Sequence, residues 1–255
     1  MPAIAPALPQ RRAARLFVEL ATSAHEVREA QSLRFRVFGE EFGAKLKGTH
    51  QGLDVDDFDS LCHHLLVREV NTGRVVGCTR LLTDSNAERS GCFYSEGEFD
   101  LGPVAKLPGR QLEIGRTCIA PDYRQGAAIA VLWSGLASFI QLHGFDYLFG
   151  CASIPLGAGD IQAAAIMNRI RRQAMVGPEL RVTPRVPLLS GTVSDEVLDA
   201  PLPPLLKAYL RLGARACGEP CRDPDFGVAD VLILLRVAEL NPAYSRHFIE
   251  RADAI

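Results

Sequence analysis

The sequence has no C-x-x-C pair: its seven cysteines, Cys62, Cys78, Cys92, Cys118, Cys151, Cys217 and Cys221, are odd in number and scattered. That spacing argues against a zinc module and a disulfide framework, so reduced, mostly buried thiols are expected. A basic excess is also missing. With 28 Lys and Arg against 30 Asp and Glu, the formal charge is -2, which argues against a general nucleic-acid binder. Nor does a secretory signal open the chain. "MPAIAPALPQRRAARL" carries prolines in its apolar part and its arginines after it, the reverse of a leader, and residues 1–15 are expected to form a flexible arm.

Long hydrophobic runs are absent with one apparent exception. Residues 125–145 lack Asp, Glu, Lys and Arg over 21 positions. Polar Gln125, Ser134, Ser138, Gln141 and His143 interrupt the run, while Ile129, Leu132, Trp133, Leu136 and Ile140 recur at helical steps. This is a helix burying one face rather than a membrane span.

What is present reads as alternating strands and helices. "LFVEL" is a strand, and residues 23–43 predict one amphipathic helix with Ser23 as N-cap and a stripe of Val27, Ala30, Leu33, Val37 and Phe38. An acidic loop, "DVDDFDS", leads into a hairpin, "HHLLVREV" and "RVVGCTRLL", followed by a Gly- and Ser-containing break. "GCFYSEGEFDLGPVAKL" predicts a short helix or ordered loop. Then come the strand "QLEIGRTCIA", a helix from about Arg124, the strand "FDYLFGCASI", the helix "DIQAAAIMNRIRRQA", a Pro-rich connection over 178–204, the helix "PPLLKAYLRLG" and a last strand "VADVLILLRV". The order favours an α+β fold around one central sheet, with residues 16–255 in a single domain.

Chemistry-bearing residues gather at "LEIGRTCIAPDYRQGAAI". A strand running into a helix N-terminus offers free N–H groups and partial positive charge to a phosphate or oxyanion. Strand alternation puts Glu113 and Arg116 on opposite faces unless the strand bulges near Gly115. Arg34 and Arg36 are about 200° apart around a helix, so only one of them can face a site. The pattern "DVDDFD" lacks the Gly and closing Glu of a calcium loop, and Cys62-His63-His64 has no further ligand pair. No metal is expected.

The chain resembles the GNAT acyltransferases through that strand and helix, although Arg124, Gly126 and Ala128 give a contracted version of the usual phosphate-binding turn. Over nearly its whole length it is similar to the bacterial ornithine-acyl carrier protein N-acyltransferases, through "LRFRVFGEEFGA", "DDFDSLCHHLLV", "VGCTRLL", "FYSEGEFDL", "EIGRTCIAPDYR", "LWSGLASF", "LFGCASI" and "LPPLLKAYLRLGA". The autoinducer synthases are more distant relatives. This resemblance implies a GNAT-like acyltransferase fold, a central mixed, mostly antiparallel sheet flanked by helices. It implies transfer of a 3-hydroxyacyl chain from acyl carrier protein to the α-amine of L-ornithine, the first step of ornithine lipid synthesis, with no cofactor.

Glu113 is then the expected base and Arg116 its partner or the donor's. Arg34, Phe38, Asp54, Asp57, Asp59 and Arg80 would bind substrate, the carboxylates meeting the amines of ornithine. Cys118, Arg124, Gly126 and Ala128 would hold the acyl-pantetheine. Arg169, Arg171, Arg172, Lys207 and Arg211 either meet the acidic carrier protein or anionic lipid headgroups, or are solvated charge. A cytoplasmic setting is expected, with peripheral contact at the inner membrane left open. Rival readings are acylation of another amino acid, autoinducer synthesis, and a non-catalytic module binding acyl-ACP or acyl-CoA.

Overall fold

In the computed structural model, which describes residues 15–46, 51–125, 127–156, 160–188 and 200–240, the first strand β1 (Leu16–Leu20) is followed by helix α1 (Ala24–Arg34). The cap read from the sequence is in place: Ser23 Oγ accepts the Glu26 N–H at 3.3 Å, and the Glu26 carboxylate accepts the Thr22 and Ser23 N–H groups at 2.7 and 2.9 Å. The predicted single helix does not continue in one geometry. Beyond Arg34 the chain widens into a π-helix, Phe35–Glu41. Residues 1–14, almost the whole of the expected arm, lie outside the described residues.

The hairpin is β2 (His63–Glu69) and β3 (Val75–Thr83). The break after it is helix α2 (Asp84–Ser90), capped by Thr83 Oγ1 on the Asn86 N–H and closed by Gly91 at φ 85°. A 3-10 turn (Tyr94–Gly97), β4 (Phe99–Asp100) and α3 (Gly102–Ala105) lead to β5 (Gln111–Ile119). Helix α4 (Ala128–His143) starts four residues later than expected. Pro121–Tyr123 form a 3-10 turn, and the Arg124 side chain folds back to the Ile119 carbonyl at 3.0 Å.

After α4 come β6 (Tyr147–Pro155), α5 (Ile161–Gln173), β7 (Thr183–Pro184), α6 (Pro204–Leu212), β8 (Arg215–Ala216), β9 (Cys221–Asp223) and β10 (Val228–Arg236). The main sheet runs β1-β2-β3-β5-β6-β10-β8, with β9 also on β10; β4 and β7 form a second, two-stranded sheet. Among the paired strands of the described residues only β5 and β6 run parallel, so the sheet is mixed and mostly antiparallel, as expected.

Two features of this sheet position the site. The first is a bulge. Cys78 pairs with Cys118 and Arg80 with Gly115, so Thr79 alone faces both Arg116 and Thr117. Thr79 Oγ1 ties the bulge by donating to the Gly115 carbonyl at 3.2 Å and meeting Thr117 Oγ1 at 2.7 Å. Arg116 takes φ 49°, which a side-chain-bearing residue seldom adopts.

The second is a splay. β5 and β6 pair only from Gln111–Tyr147 to Glu113–Phe149. Next to that last pair, a Cβ on Gly150 would lie 2.1 Å from the Ile114 carbonyl oxygen, so glycine is what lets the strands touch before they part.

Candidate active site

Strand alternation carried across the register places Arg80, Glu113, Phe149, Cys151, Ser153 and Asp230 on one face of the sheet, and Ile114, Leu148, Gly150, Ile233 and Leu235 on the other. The bulge lets Arg116 join the first face. The first face carries charged groups beside a buried apolar cluster of its own that includes Leu82, Phe149, Leu232 and Leu234, the second is apolar, and the two meet where β5 and β6 part.

On the polar face, the first half of the site is a charge network. Arg34, 1% exposed, holds Asp59 bidentately at 2.8 and 2.9 Å and Asp54 at 2.8 Å. Arg80 pairs with Asp56 and Asp59, and Arg116 with Asp54 at 3.3 Å and Asp56 at 3.5 Å. Three guanidinium groups thus alternate with three carboxylates. Burial alone would raise the Asp59 carboxyl, but the hydrogen bonds and charge of Arg34, with Arg80 and Gln31, hold it well below the carboxylate range.

Aromatic rings flank the cations: Arg116 lies between Tyr94 and Phe226, at 4.9 and 5.0 Å from their centroids, and Arg80 lies over Tyr94 at 5.1 Å. Phe38 meets Phe226 edge-on at 5.8 Å.

This arrangement corrects several expectations. Arg34, Asp54, Asp59 and Arg80 are only 1–6% exposed and are ion-paired within the network, so they frame the site and do not offer free carboxylates to ornithine. Asp57 is exposed and outside the network; Asp56 is the third acid. Of the helical pair, Arg34 faces inward and Arg36 outward. Cys118 is buried, 5% exposed, with its Sγ 3.6 Å from Cys78 Sγ, and so is not presented as a wall of an open donor site. The Arg124 guanidinium is held by Glu41 at 2.5 and 2.6 Å. Ala128 is the buried first residue of α4, and Gly126 lies outside the described residues. Arg169, Arg172, Lys207 and Arg211 are exposed, whereas Arg171 pairs with Glu219.

Glu113 and Arg116 are not an ion pair. Glu113, 3% exposed, accepts the Tyr94 and Ser95 N–H groups at 2.7 Å each and the Ser95 hydroxyl. Arg116 donates to the Tyr94 hydroxyl at 2.9 Å. The 3-10 turn therefore joins them. Burial raises the Glu113 carboxyl, although these hydrogen bonds oppose the shift. Ser95 Oγ also lies 3.3 Å from Cys151 Sγ, at the gap between the strands.

Beyond Cys151 lies a group of acids absent from the sequence reading. Glu98, Asp223 and Asp230 bring carboxylate oxygens within 4.8 Å of one another. Asp230, 4% exposed, accepts from Ser153 at 2.7 Å. Burial, with the charges of Asp230 and Asp223, pushes Glu98 up to about 8, and burial raises Asp230 as well. No local pattern announces this cluster, because its members come from residues 98, 223 and 230.

On the other face is an apolar cavity of about 420 Å³. Trp133, Leu136, Ala137 and Ile140 of α4, Tyr209 and Leu212 of α6, and Leu148, Ile233 and Leu235 of the sheet line it; Ile114, Gly150 and Cys151 form its wall at the splay. Its size and apolar lining suit a small-molecule or acyl site.

Residues 33–134 match the acetyltransferase (GNAT) domain family. Among solved structures, the chain is similar in fold to the AHL synthase LasI (TM-score 0.54, 13% identity, 93% of this chain and 96% of that one). It is also similar to FeeM, an N-acyl amino acid synthase from uncultured soil microbes (TM-score 0.52, 11% identity, 95% and 99%). Curated relatives are nearer in sequence. The L-ornithine N(alpha)-acyltransferase of Rhizobium meliloti (strain 1021) is 34% identical over 93% of this chain and 85% of its own length. That of Rhodobacter capsulatus is 34% identical over 92% and 95%. With such identity sustained along almost its full length, this chain belongs to the L-ornithine N(alpha)-acyltransferase family.

Proposed function

We propose that the protein transfers a 3-hydroxyacyl chain from acyl carrier protein to the α-amine of L-ornithine. The observation that carries this reading is the gap between β5 and β6, where an apolar cavity large enough for an acyl chain meets a polar face rich in carboxylates. Curated relatives named for ornithine acylation support the acceptor.

Binding the chain in the cavity would bring the thioester carbonyl to the gap, where the unpaired backbone of the bulged strand can meet the developing oxyanion. The amine nitrogen attacks the carbonyl carbon, the C–S bond breaks, the amide forms and the thiolate takes up a proton. The proton lost by the amine passes toward Glu113 by way of Ser95 Oγ. A carboxyl raised by burial suits that role at neutral pH. Arg116, fixed by Asp54, Asp56 and Tyr94, orients the reacting groups. The free N–H groups at the start of α4 would meet the single phosphodiester of the carrier's pantetheine arm. With Arg124 committed to Glu41, this turn is less suited to a pyrophosphate.

The test is a product assay by mass spectrometry with 3-hydroxyacyl-ACP and an equimolar amino-acid mixture. N-acyl-ornithine is the expected product. A homoserine lactone or a different N-acyl amino acid would reject the acceptor, and equal rates with acyl-CoA would reject the donor.

The cavity makes a separate prediction. Ala137 is a small, partly buried residue of its α4 wall, and Ala137→Phe should lower the rate with a 16-carbon chain by about 10-fold or more relative to a short chain. Competition between donors of two lengths reads this directly. An unchanged ratio would remove the acyl chain from the cavity.

A further inference from the structure

We propose that Glu98, Asp223 and Asp230 receive the side-chain ammonium of the acceptor amino acid and thereby select ornithine over amino acids with neutral side chains. The inference rests on the acyl-transfer reading above and adds where the acceptor's second amine goes.

The cluster differs from the other acids of the polar face. Asp54, Asp56 and Asp59 are all ion-paired, whereas none of the ion pairs among the described residues involves Glu98, Asp223 or Asp230. The cation whose charge is felt by both Glu98 and Asp230 is Arg116, already shared between Asp54 and Asp56. Glu98 Oε2 is sealed from solvent and has no hydrogen-bond partner. Asp230 is almost fully buried, with the Ser153 hydroxyl and the Glu98 carboxyl against its own carboxyl and no cation paired to it among the described residues.

The parts are also held in place. Asp223 Oδ1 accepts the N–H groups of Asp225 and Phe226 at 2.9 and 3.0 Å. The same turn sets Phe226 against Arg116. Three like charges this close are unfavourable unless protonated or countered. A primary ammonium supplies one positive charge and three N–H donors, one for each carboxylate.

An independent line points to the same chemistry. The curated relatives are named for L-ornithine, which differs from norvaline only by a terminal amine. The cluster sits on the face that carries Glu113, with Asp230 paired to Ser153 just beyond the splay. An amino acid whose α-amine meets the thioester at the gap can extend its side chain there. A hard divalent cation would also find oxygen ligands in this cluster, but it ordinarily requires six or more.

The experiment compares L-ornithine with L-norvaline in the wild type, Asp230→Asn and Glu98→Gln. The wild type should favour ornithine in kcat/KM by at least about 100-fold. Each variant should shrink that preference about 10-fold or more, with the loss falling on ornithine KM.

Thermal unfolding without substrate is the second readout. Glu98, faced by Asp230, Asp223, Cys151, Tyr94 and Arg116, has a raised folded pKa. The wild type therefore loses stability from Glu98 as pH rises from the ordinary glutamate range through about 8. Glu98→Gln should consequently melt higher than wild type at pH 8 while losing the stabilisation that ornithine gives.

Folded variants that keep the wild-type ornithine-to-norvaline ratio would overturn the inference. A manganese- or calcium-dependent rise in melting temperature, abolished by Asp230→Asn, would overturn it in favour of a metal site. Failure of the wild type to acylate ornithine would count against the acyl-transfer reading instead. In that case ornithine-specific stabilisation, absent with norvaline and lost in the variants, would still support the pocket, and no such stabilisation would reject it.

Discussion

Replacing Glu113 with glutamine should lower kcat by about 10²–10⁴-fold, the range contributed by a positioned general base. The pH profile is the more telling readout. Because burial raises the Glu113 carboxyl, the base form accumulates as pH climbs through that raised value, and wild-type activity should rise along an acidic limb. Glutamine cannot titrate there, so the limb should disappear. The substitution also has a structural effect: the carboxylate accepts two backbone N–H groups and a hydroxyl, and an amide NH2 turned toward an N–H leaves an unsatisfied donor at a cost of about 1–3 kcal/mol. Thermal unfolding measures that part separately. Lost turnover with the acidic limb intact would make Glu113 a positioning residue acting through the 3-10 turn. Unchanged turnover would remove it from the mechanism.

Arg34→Met should be the most destabilising single change in the polar network. Arg34 is 1% exposed and contacts both Asp54 and Asp59, and truncating one partner of a buried charge set typically costs about 3–5 kcal/mol. For a chain of this size that corresponds to a fall in melting temperature on the order of 10 °C. Arg36→Met, two residues along and solvent-facing, should change stability by no more than about 0.5 kcal/mol.

The pH dependence separates charge pairing from packing. Asp59 is depressed in the folded state, so its contribution is present above the unfolded aspartate value and lost as pH falls toward the folded one. The gap between wild type and Arg34→Met should persist through neutral pH and narrow below about pH 4. A gap that does not change with pH would mean that the aliphatic stem, not the charge, carries the loss.

The parts of this fold that were legible in the sequence were local. Ser23 is the predicted N-cap, the hairpin falls where alternation placed it, and the bulge needed to bring Glu113 and Arg116 to one face lies at Arg116 itself. Other features depended on distant partners. Helix α2 was passed over although Thr83 and Gly91 mark its ends, because a seven-residue segment has too few turns to show an apolar period. The stretch ahead of α4 is a 3-10 turn followed by Arg124, whose guanidinium bonds Glu41, 83 positions away. Asp56 and Asp57 are indistinguishable in "DVDDFD" until the loop closes on Arg80 and Arg116. The triad of Glu98, Asp223 and Asp230 exists only once β9 and β10 pair.

The placement of the apolar cavity on one face of the sheet and of the charged groups on the other, with the two meeting where β5 and β6 separate, has a consequence for descent. With the chain and the acceptor placed as proposed, substitutions along α4 and α6 would retune which fatty chains are accepted without disturbing the ionic lattice opposite, and changes among the acids near β9 and β10 would alter the acceptor without reshaping the greasy chamber. Effects at residues that share no partners tend to add. New combinations of chain and headgroup precursor are therefore reachable one side at a time. Ile114, Gly150 and Cys151, where the two faces meet, are the positions at which a change is felt by both.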